Sequence, residues 1–371
     1  MLKPKPILIT AGGTGGHVYP GLAVARELQA HGIPIVWMGT KAGLEAKIIP
    51  AAGIEMAWLE VSGLRGKGWQ ALALAPFRLA KALWQSVRIM RTHKPAAVLG
   101  MGGFVAGPGG LVAALMGKPV VIHEQNAVAG LTNKLLSKVS QRVLEGFPGA
   151  FPKSEKVQAT GNPVRADIAG LPQPLDRLAD RDDQPIHLLV VGGSLGAAAL
   201  NQTVPQALAL LAPDLRPEVR HQAGAKNLAT AQQAYQTVGV QASVTPFIED
   251  MAEAYAWADL IICRAGALTV AEVSAAGLAA LFIPYPHAVD DHQTANARYL
   301  VDQEAALLIH QSELNPERLT IVLTELCKDR ARLAKMSIAA RQLAMPHATA
   351  QVAAICAAFA GYDFQEIRKQ A

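Results

Sequence analysis

Short runs rich in Val, Ile and Leu alternate with helix-length segments from one end of the chain to the other. Residues 6–11, 33–38, 96–99, 119–122 and 142–145 read as strands, and the pattern restarts with 186–191, 243–246, 260–263 and 279–283. Most of these runs are apolar at consecutive positions, as strands covered on both faces are. Repeated alternation of strand and helix predicts an α/β protein with parallel sheets between helix layers. Between the two series, residues 171–185 carry three prolines and no apolar period, which marks a connecting segment. The expected organisation is a first domain over 1–165, a linker over 166–185 and a second domain over 186–345. A C-terminal helix over 346–371 is expected to pack back on the first domain.

Both series open alike. ILITAGGTGGH (7–17) and LLVVGGSLG (188–196) each read as strand, glycine loop and helix start. Two Rossmann-like, doubly wound domains facing a cleft are the economical architecture, with ligands at the carboxyl ends of the strands. A glycine loop at a helix start offers bare N–H groups and the positive end of the helix dipole to an anion. Neither loop is followed by Gly-Lys-Ser/Thr, and neither fits Gly-x-Gly-x-x-Gly, since Val18 stands three after Gly15. A nucleotide phosphatase loop and a nicotinamide-linked dehydrogenase are therefore disfavoured. Two such loops point instead to a diphosphate ligand.

Further candidate residues fall at strand ends. His17 stands where the first loop becomes helix, either as a general base near neutral pH or as a histidine bonded to backbone. GMGGFVAGPGG (100–110) and HEQNAVAG (123–130) follow the next strands, and GNPVR (161–165) puts Arg165 at the domain boundary. In the second half, RAGALTVAE (264–272) follows a strand. Its Thr269-x-x-Glu272 spacing matches a capping box, while an acid there can also accept both hydroxyls of a ribose. The loop from Pro284 to Asn296 is rich in sugar-binding donors and acceptors. A metal on His287, Asp290, Asp291 and His292 is disfavoured, and the Asp180–Asp182 pair reads as solvated charge, so no metal or cofactor is expected.

The 371 residues are 51% hydrophobic, with 32 Gly and 23 Pro, the composition of a globular protein with a large core. The most apolar stretch, 104–122, is broken by glycines, prolines and Lys118, so no transmembrane helix is expected, nor a signal peptide at the start. Cys263, Cys327 and Cys356 stand far apart and suit neither a disulfide framework nor a metal site. A cytosolic-side protein is expected. Charge is divided unevenly: residues 1–170 hold 19 basic and 8 acidic side chains (net +11), and the remainder 15 and 21 (net −6). An anionic partner for the first half follows, either nucleic acid or a membrane surface. Between Trp69 and Arg91, Arg78, Lys81, Arg88 and Arg91 are expected on one helix face, beside the apolar Trp69, Leu72, Leu74, Phe77 and Trp84. That segment reads either as an interfacial membrane contact or as a core helix with a solvated basic face.

Taken together the motifs resemble the MurG family, the GT-B-fold glycosyltransferases of peptidoglycan synthesis. The matching segments are 12–20 (GGTGGHVYP), 62–68 (SGLRGKG), 100–110, 123–134 (HEQNAVAGLTNK), 160–165 (TGNPVR), 192–197 (GGSLGA), 247–258 and 264–272. They keep the family's order and span almost the whole chain. The resemblance implies inverting transfer of N-acetylglucosamine from UDP-GlcNAc to the muramyl C4 hydroxyl of undecaprenyl-linked lipid I, forming lipid II. It implies a peripheral enzyme on the cytoplasmic membrane face, an anionic membrane surface as partner, and no nucleic acid. By residue, it implies donor contacts at Thr14, Gly15, Gly16, Asn126, Arg165 and Ser194, and uracil at the Ile248 backbone. Sugar and ribose would lie on a loop of Ala267, Leu268, Thr269, Val270, Ala271 and Glu272, with GlcNAc hydroxyls at Gln293 and His17 as base. Two departures from some relatives are His292 in place of Gln and Phe104 in place of Tyr. The alternatives within the fold are a UDP-GlcNAc 2-epimerase and another glycolipid-forming transferase; a non-catalytic nucleotide-sugar sensor is a third.

Overall fold

The structure, a computed structural model, describes residues 4–60, 75–179, 181, 184–193 and 196–363. The chain divides into two units, residues 1–164 with 346–371, and residues 165–345.

In the first unit the order is β1 (Ile7–Thr10), α1 (Gly15–Ala30), β2 (Ile35–Thr40), α2 (Glu45–Ala51), β3 (Glu55–Leu59), α3 (Ala75–His93), β4 (Ala97–Gly100), α4 (Gly103–Leu115), β5 (Val120–Glu124), α5 (Leu131–Leu136), β6 (Arg142–Glu145) and β7 (Val157–Ala159). All seven strands are parallel, in the order β3-β2-β1-β4-β5-β6-β7. The order reverses between β1 and β4, and that switch point is where doubly wound sheets hold ligands. β1, β2, β4 and β5 are buried along their whole length, which explains their continuous apolar runs. One face is filled by Ile7, Ile9, Trp37 and Leu99 under α1, and the other by Leu8, Met38, Val98 and Ile122 under α3 and α4.

The second unit holds α6 (Ala166–Ala169), α7 (Pro174–Leu178), β8 (His187–Val191), α8 (Ala198–Leu210), β9 (Glu218–Gln222), α9 (Leu228–Val238), β10 (Ser243–Thr245), α10 (Met251–Trp257), β11 (Leu260–Cys263), α11 (Ala267–Ala276), β12 (Ala279–Phe282), α12 (His292–Val301), β13 (Ala306–Leu308), α13 (Pro316–Lys328) and α14 (Arg330–Gln342). Its six parallel strands run β10-β9-β8-β11-β12-β13, the same winding as the first sheet, with its switch point between β8 and β11. The last helix, α15 (Ala348–Phe359), belongs to the first unit. It sets Val352, Ala353, Cys356 and Ala357 into the core beside α1, where small side chains let the helices lie close.

The segment 166–185, expected as a linker, is not irregular throughout. Arg177 is buried and donates to the carbonyls of Tyr255, Ala276 and Gly277 at 3.1, 2.9 and 2.6 Å, docking α7 on the second unit. Burial and the neighbouring Arg181 lower its pKa to about 10. Gly277 (φ +59°) ends α11 at this crowded point, where a Cβ would lie 2.6 Å from Pro174 and 2.9 Å from the Arg341 Cβ. Apolar periodicity misses this docking because a cation and three carbonyls perform it.

Candidate functional site

At the switch point of the first unit, β1 runs into Ala11, Gly12, Gly13 and Thr14 before α1 begins. Gly13 has φ +96°, and a Cβ on Gly12 would lie 2.6 Å from Glu45 Oε1. Thr14 is the cap residue, yet its side chain makes no capping bond and the first turn of α1 holds no acid. Behind the loop lies fully buried Glu45, which accepts from Gly13 N–H (3.1 Å), Thr40 N–H (2.9 Å) and the Thr40 hydroxyl (2.8 Å). Sequence reasoning missed Glu45. Its only signal is the glycines around it, since Gly39 and Gly43 would also collide with its side chain if they carried a Cβ.

His17 is half-buried in the first turn of α1. It is not a histidine bonded to nearby backbone: its Nδ1 lies 2.8 Å from Gln125 Oε1, beyond the end of β5. The turn after β4 passes beneath the ring. A Cβ on Gly102 (φ +91°) would come within 3.0 Å of His17 Cε1 and Nδ1, and one on Gly103 within 2.7 Å of the Gly12 carbonyl. Only bare backbone fits between the two loops.

His123, Glu124 and Gln125 are buried. Glu124 accepts from Asn126 N–H (3.0 Å), Asn126 Nδ2 (3.2 Å), Gly130 N–H (3.0 Å) and Asn133 Nδ2 (2.9 Å). Three of the four polar residues expected to line the site are thus scaffold, and Asn126 is half-buried at its rim. Burial lowers the His123 pKa to about 4, so this ring is neutral.

In the second unit β8 leads into Gly192 and Gly193, and Gly196 precedes α8. Ser194 lies outside the described residues. Here the residue behind the loop is an amide. Gln222 Oε1 accepts from Gly193 N–H at 3.1 Å, while its Nε2 donates to the Gly193 and Pro246 carbonyls at 3.1 and 3.2 Å. A Cβ on Gly196 (φ +74°) would meet the Ala223 carbonyl. Ile248 is half-buried in the turn between β10 and α10, beside exposed Phe247.

After β11, Gly266 caps α11 and Ala267 is its first helical residue. Two expectations are corrected here. Residues 267–272 form the first turns of a helix, not a loop, and Ala267 and Val270 face inward and are buried. Only Leu268, Thr269, Ala271 and Glu272 are partly exposed. The capping box fails as well, because the cap stands at Gly266 and Glu272 lies well inside the helix. Glu272 keeps 18% of its side chain exposed; its Oε2 accepts from the Tyr255 hydroxyl at 3.0 Å, and its Oε1 lies 3.8 Å from Arg165 Nε. Burial raises its pKa, opposed by Arg165 and by the Tyr255 hydrogen bond. A partly desolvated carboxylate with one oxygen held and the other beside a guanidinium suits a pair of vicinal hydroxyls near a diphosphate. Tyr255, whose own pKa burial and Glu272 push up, was not foreseen.

The sugar-loop candidates gather nearby. Gln293 is half-buried in the first turn of α12, its Oε1 accepting from Tyr285 N–H at 2.9 Å. Asp290 and Asp291, just before it, adopt φ +53° and +47°, a conformation non-glycine residues seldom take. Asn296 Nδ2 donates to the Ala265 carbonyl at 3.1 Å, tying α12 to the turn after β11, and Arg264 donates to the Ile283 and Pro284 carbonyls, tying that turn to the segment after β12. Among the described residues no group of three or more His, Cys, Asp or Glu could hold a metal ion.

Away from the glycine loops, α3 buries Ala82, Ser86, Ile89 and Met90 and exposes Phe77 (75%), Trp84 (62%), Lys81, Arg88 and Arg91. Lys81 pairs with Glu60 at 2.6 Å. Arg78 departs from the expected face: it is half-buried, at the flank of the packed side. Trp69, Leu72 and Leu74 lie outside the described residues. Beside α3, α4 exposes Leu111 and Leu115, and α5 exposes Leu131, Leu135 and Lys134. No described helix is long and apolar enough to cross a membrane.

Comparison with known proteins agrees with this layout. Residues 7–145 match the glycosyltransferase family 28 N-terminal domain, and residues 187–352 match the family 28 C-terminal domain. A protein of Alkalilimnicola ehrlichii, named UDP-N-acetylglucosamine–N-acetylmuramyl-(pentapeptide) pyrophosphoryl-undecaprenol N-acetylglucosamine transferase, is 56% identical over 95% of this chain and 98% of its own. One of the same name from Marinobacter nauticus is 54% identical over 95% and 97%. The crystal structure of Acinetobacter baumannii MurG superposes with a TM-score of 0.83 at 45% identity, over 95% of this chain and 99% of that one. The UDP-GlcNAc 2-epimerase of Neisseria meningitidis shares the fold at 14% identity, with a TM-score of 0.65 over 94% of this chain and 98% of that one. With both halves matched in order and relatives above half identity along nearly its whole length, the chain belongs to glycosyltransferase family 28 and, within it, to the MurG family.

Proposed function

We propose that this chain is the N-acetylglucosaminyltransferase that moves GlcNAc from UDP-GlcNAc to the C4 hydroxyl of lipid I, forming lipid II with inversion at the sugar. The near-full-length identity to transferases of that name carries the reading, and the epimerase alternative rests on shared fold alone. In this reading the second unit holds the donor. Glu272 takes the ribose hydroxyls, the Ile248 backbone the uracil, Gln293 the sugar, and Arg165 with the Gly192–Gly196 loop stabilises the departing diphosphate without metal. The first unit supplies His17 as the base for the acceptor hydroxyl, with Thr14, Gly15, Gly16 and Asn126 around the reacting sugar.

Lipid I is anchored in a bilayer, so the first unit would meet a membrane, at the cytoplasmic face. Support comes from the exposed Phe77 and Trp84 amid Lys81, Arg88 and Arg91, continued by Leu111, Leu115, Leu131, Leu135 and Lys134. Each basic residue near an anionic surface contributes about 1 kcal/mol, falling away within a Debye length of roughly 8 Å. The decisive experiment supplies radiolabelled UDP-GlcNAc to lipid I in anionic vesicles, with EDTA present. Labelled lipid II at full rate is expected. Epimerised donor without lipid product, or a rate restored only by added divalent cation, contradicts the reading. Exchange of Phe77 and Trp84 for Ser and of Arg88 and Arg91 for Gln is expected to lower vesicle binding and raise the KM for lipid I while sparing a soluble short-chain acceptor.

A further inference from the structure

Four groups in the first unit form a continuous hydrogen-bonded line whose every hydrogen can be assigned. It starts at the Gly161 carbonyl, which can only accept, so His123 Nε2, 2.9 Å away, carries a hydrogen and donates it. His123 is buried and neutral, which leaves its Nδ1 bare. Gln125 Nε2 donates to that nitrogen at 3.0 Å and to the His123 carbonyl at 3.1 Å. The second contact settles the orientation of the amide, because an amide oxygen turned towards the His123 carbonyl would be repelled. Gln125 Oε1 therefore faces His17 Nδ1 at 2.8 Å, and since that oxygen only accepts, Nδ1 carries the hydrogen. A histidine holds its lone pair on the nitrogen opposite to the one that donates. Asn162 and Asn133 hold the line in place, the first donating to the Gln125 carbonyl at 3.0 Å and the second to the His123 carbonyl at 3.1 Å.

We infer that Gln125, itself aligned by His123, is a positioning residue that holds neutral His17 as the Nδ1–H tautomer and so keeps Nε2 bare to receive the acceptor proton. The inference deepens the reading of His17 as base and rests on it. Free histidine in water favours the opposite tautomer, with hydrogen on Nε2, which could not accept a proton there. The acceptor here is a neutral amide rather than a carboxylate, so it selects the tautomer without adding a charge beside the ring. In the step itself the C4 O–H bond breaks, its proton passes to Nε2, the oxygen forms the bond to the sugar C1, and UDP leaves with the electron pair of the bond it loses.

The test combines nitrogen NMR of the ¹⁵N-histidine-labelled full-length enzyme with steady-state kinetics of Gln125→Ala. In the wild type at a pH where His17 is neutral, its Nδ1 is expected to resonate as a protonated nitrogen and its Nε2 as a bare one, assigned by loss of those signals in His17→Gln. Gln125→Ala is expected to shift His17 towards Nε2–H and to lower kcat about 10- to 100-fold, with the donor KM within about twofold. Hydrogen on Nε2 in the wild type overturns the proposal whatever the kinetics, as does an unchanged kcat in Gln125→Ala. If His17→Ala keeps its rate, the base assignment fails instead, and the wild-type spectrum still judges the tautomer separately. Should Gln125→Ala not fold, that spectrum decides alone.

Discussion

The two units wind their sheets in the same order and open with the same strand, glycine loop and helix, yet they back their loops differently. Behind the first loop is the carboxylate of Glu45, bonded to Gly13 N–H; behind the second is the amide of Gln222, bonded to Gly193 N–H and to two carbonyls. A buried negative charge beneath the first loop offsets the positive end of α1, whereas a neutral amide leaves the second loop's potential available to an anion. The first loop also leads into a histidine, while no titratable side chain stands among residues 192–198 of the second. As proposed, this one scaffold takes two roles, proton transfer on the first unit and diphosphate binding on the second, and the residue behind each loop is the feature that would separate them.

The largest effect expected of any single change is at His17. His17→Ala should lower kcat about 10²- to 10⁴-fold with the donor KM nearly unchanged, by the ordinary worth of general base catalysis. Loss of donor affinity in parallel would make His17 a scaffold of the glycine loop rather than the base. Next, Glu272→Ala should raise the donor KM roughly 10- to 100-fold, since hydrogen bonds to a charged group are worth about 1.5–3 kcal/mol. A fall in melting temperature with unchanged KM would make Glu272 a structural partner of Tyr255 only.

Each unit also buries one neutral histidine, His123 in the first and His221 in the second, the latter bonded to the Tyr235 hydroxyl and Asn201. Burial lowers the pKa of both to about 4 from an ordinary 6.5. The unfolded chain therefore takes up protons first as pH falls, and stability present above pH 6.5 is lost progressively towards pH 4. At pH 5 each histidine accounts for about 2 kcal/mol of that loss. Urea unfolding from pH 7 to 5 checks this, with His221→Gln expected to flatten the pH dependence of the second unit alone. The smallest effect expected is at Gln222: placing a carboxylate there by Gln222→Glu should raise the donor KM by about tenfold, by imposing the first loop's electrostatics on the second. An unchanged KM in a folded variant would show that the residue behind the loop does not set its affinity for anions.

The winding of both sheets was legible because strands buried on both faces read as unbroken apolar runs, as β1 and β11 do. The strands that escaped notice were β3 and β7 at the sheet edge, β13, and β9, whose Glu218-Val-Arg-His-Gln222 run looks like a loop. That run forms a strand because His221 and Gln222 find buried hydrogen-bond partners, which no periodicity records. The site divides in the same way. His17 and Glu272 could be singled out as candidates because each follows a strand and a glycine turn, whereas Gln293 came from the family resemblance alone. Glu45, Gln222 and Tyr255 were not, because each is tied to its loop or partner side chain by hydrogen bonds that no local pattern records. The capping-box alternative for Thr269 and Glu272 fails for a related reason: Gly266 caps α11 with no side chain, so the spacing offered a false match.

As proposed, the second unit holds the UDP part of the donor while His17 serves the acceptor, and calorimetric titration of UDP-GlcNAc without acceptor separates these roles. Wild type and His17→Ala are predicted to bind with the same Kd within about twofold, while Gln222→Glu and Glu272→Ala, folded by their melting curves, bind at least about tenfold more weakly. Weakened binding in His17→Ala with unchanged binding in the other two would contradict the account.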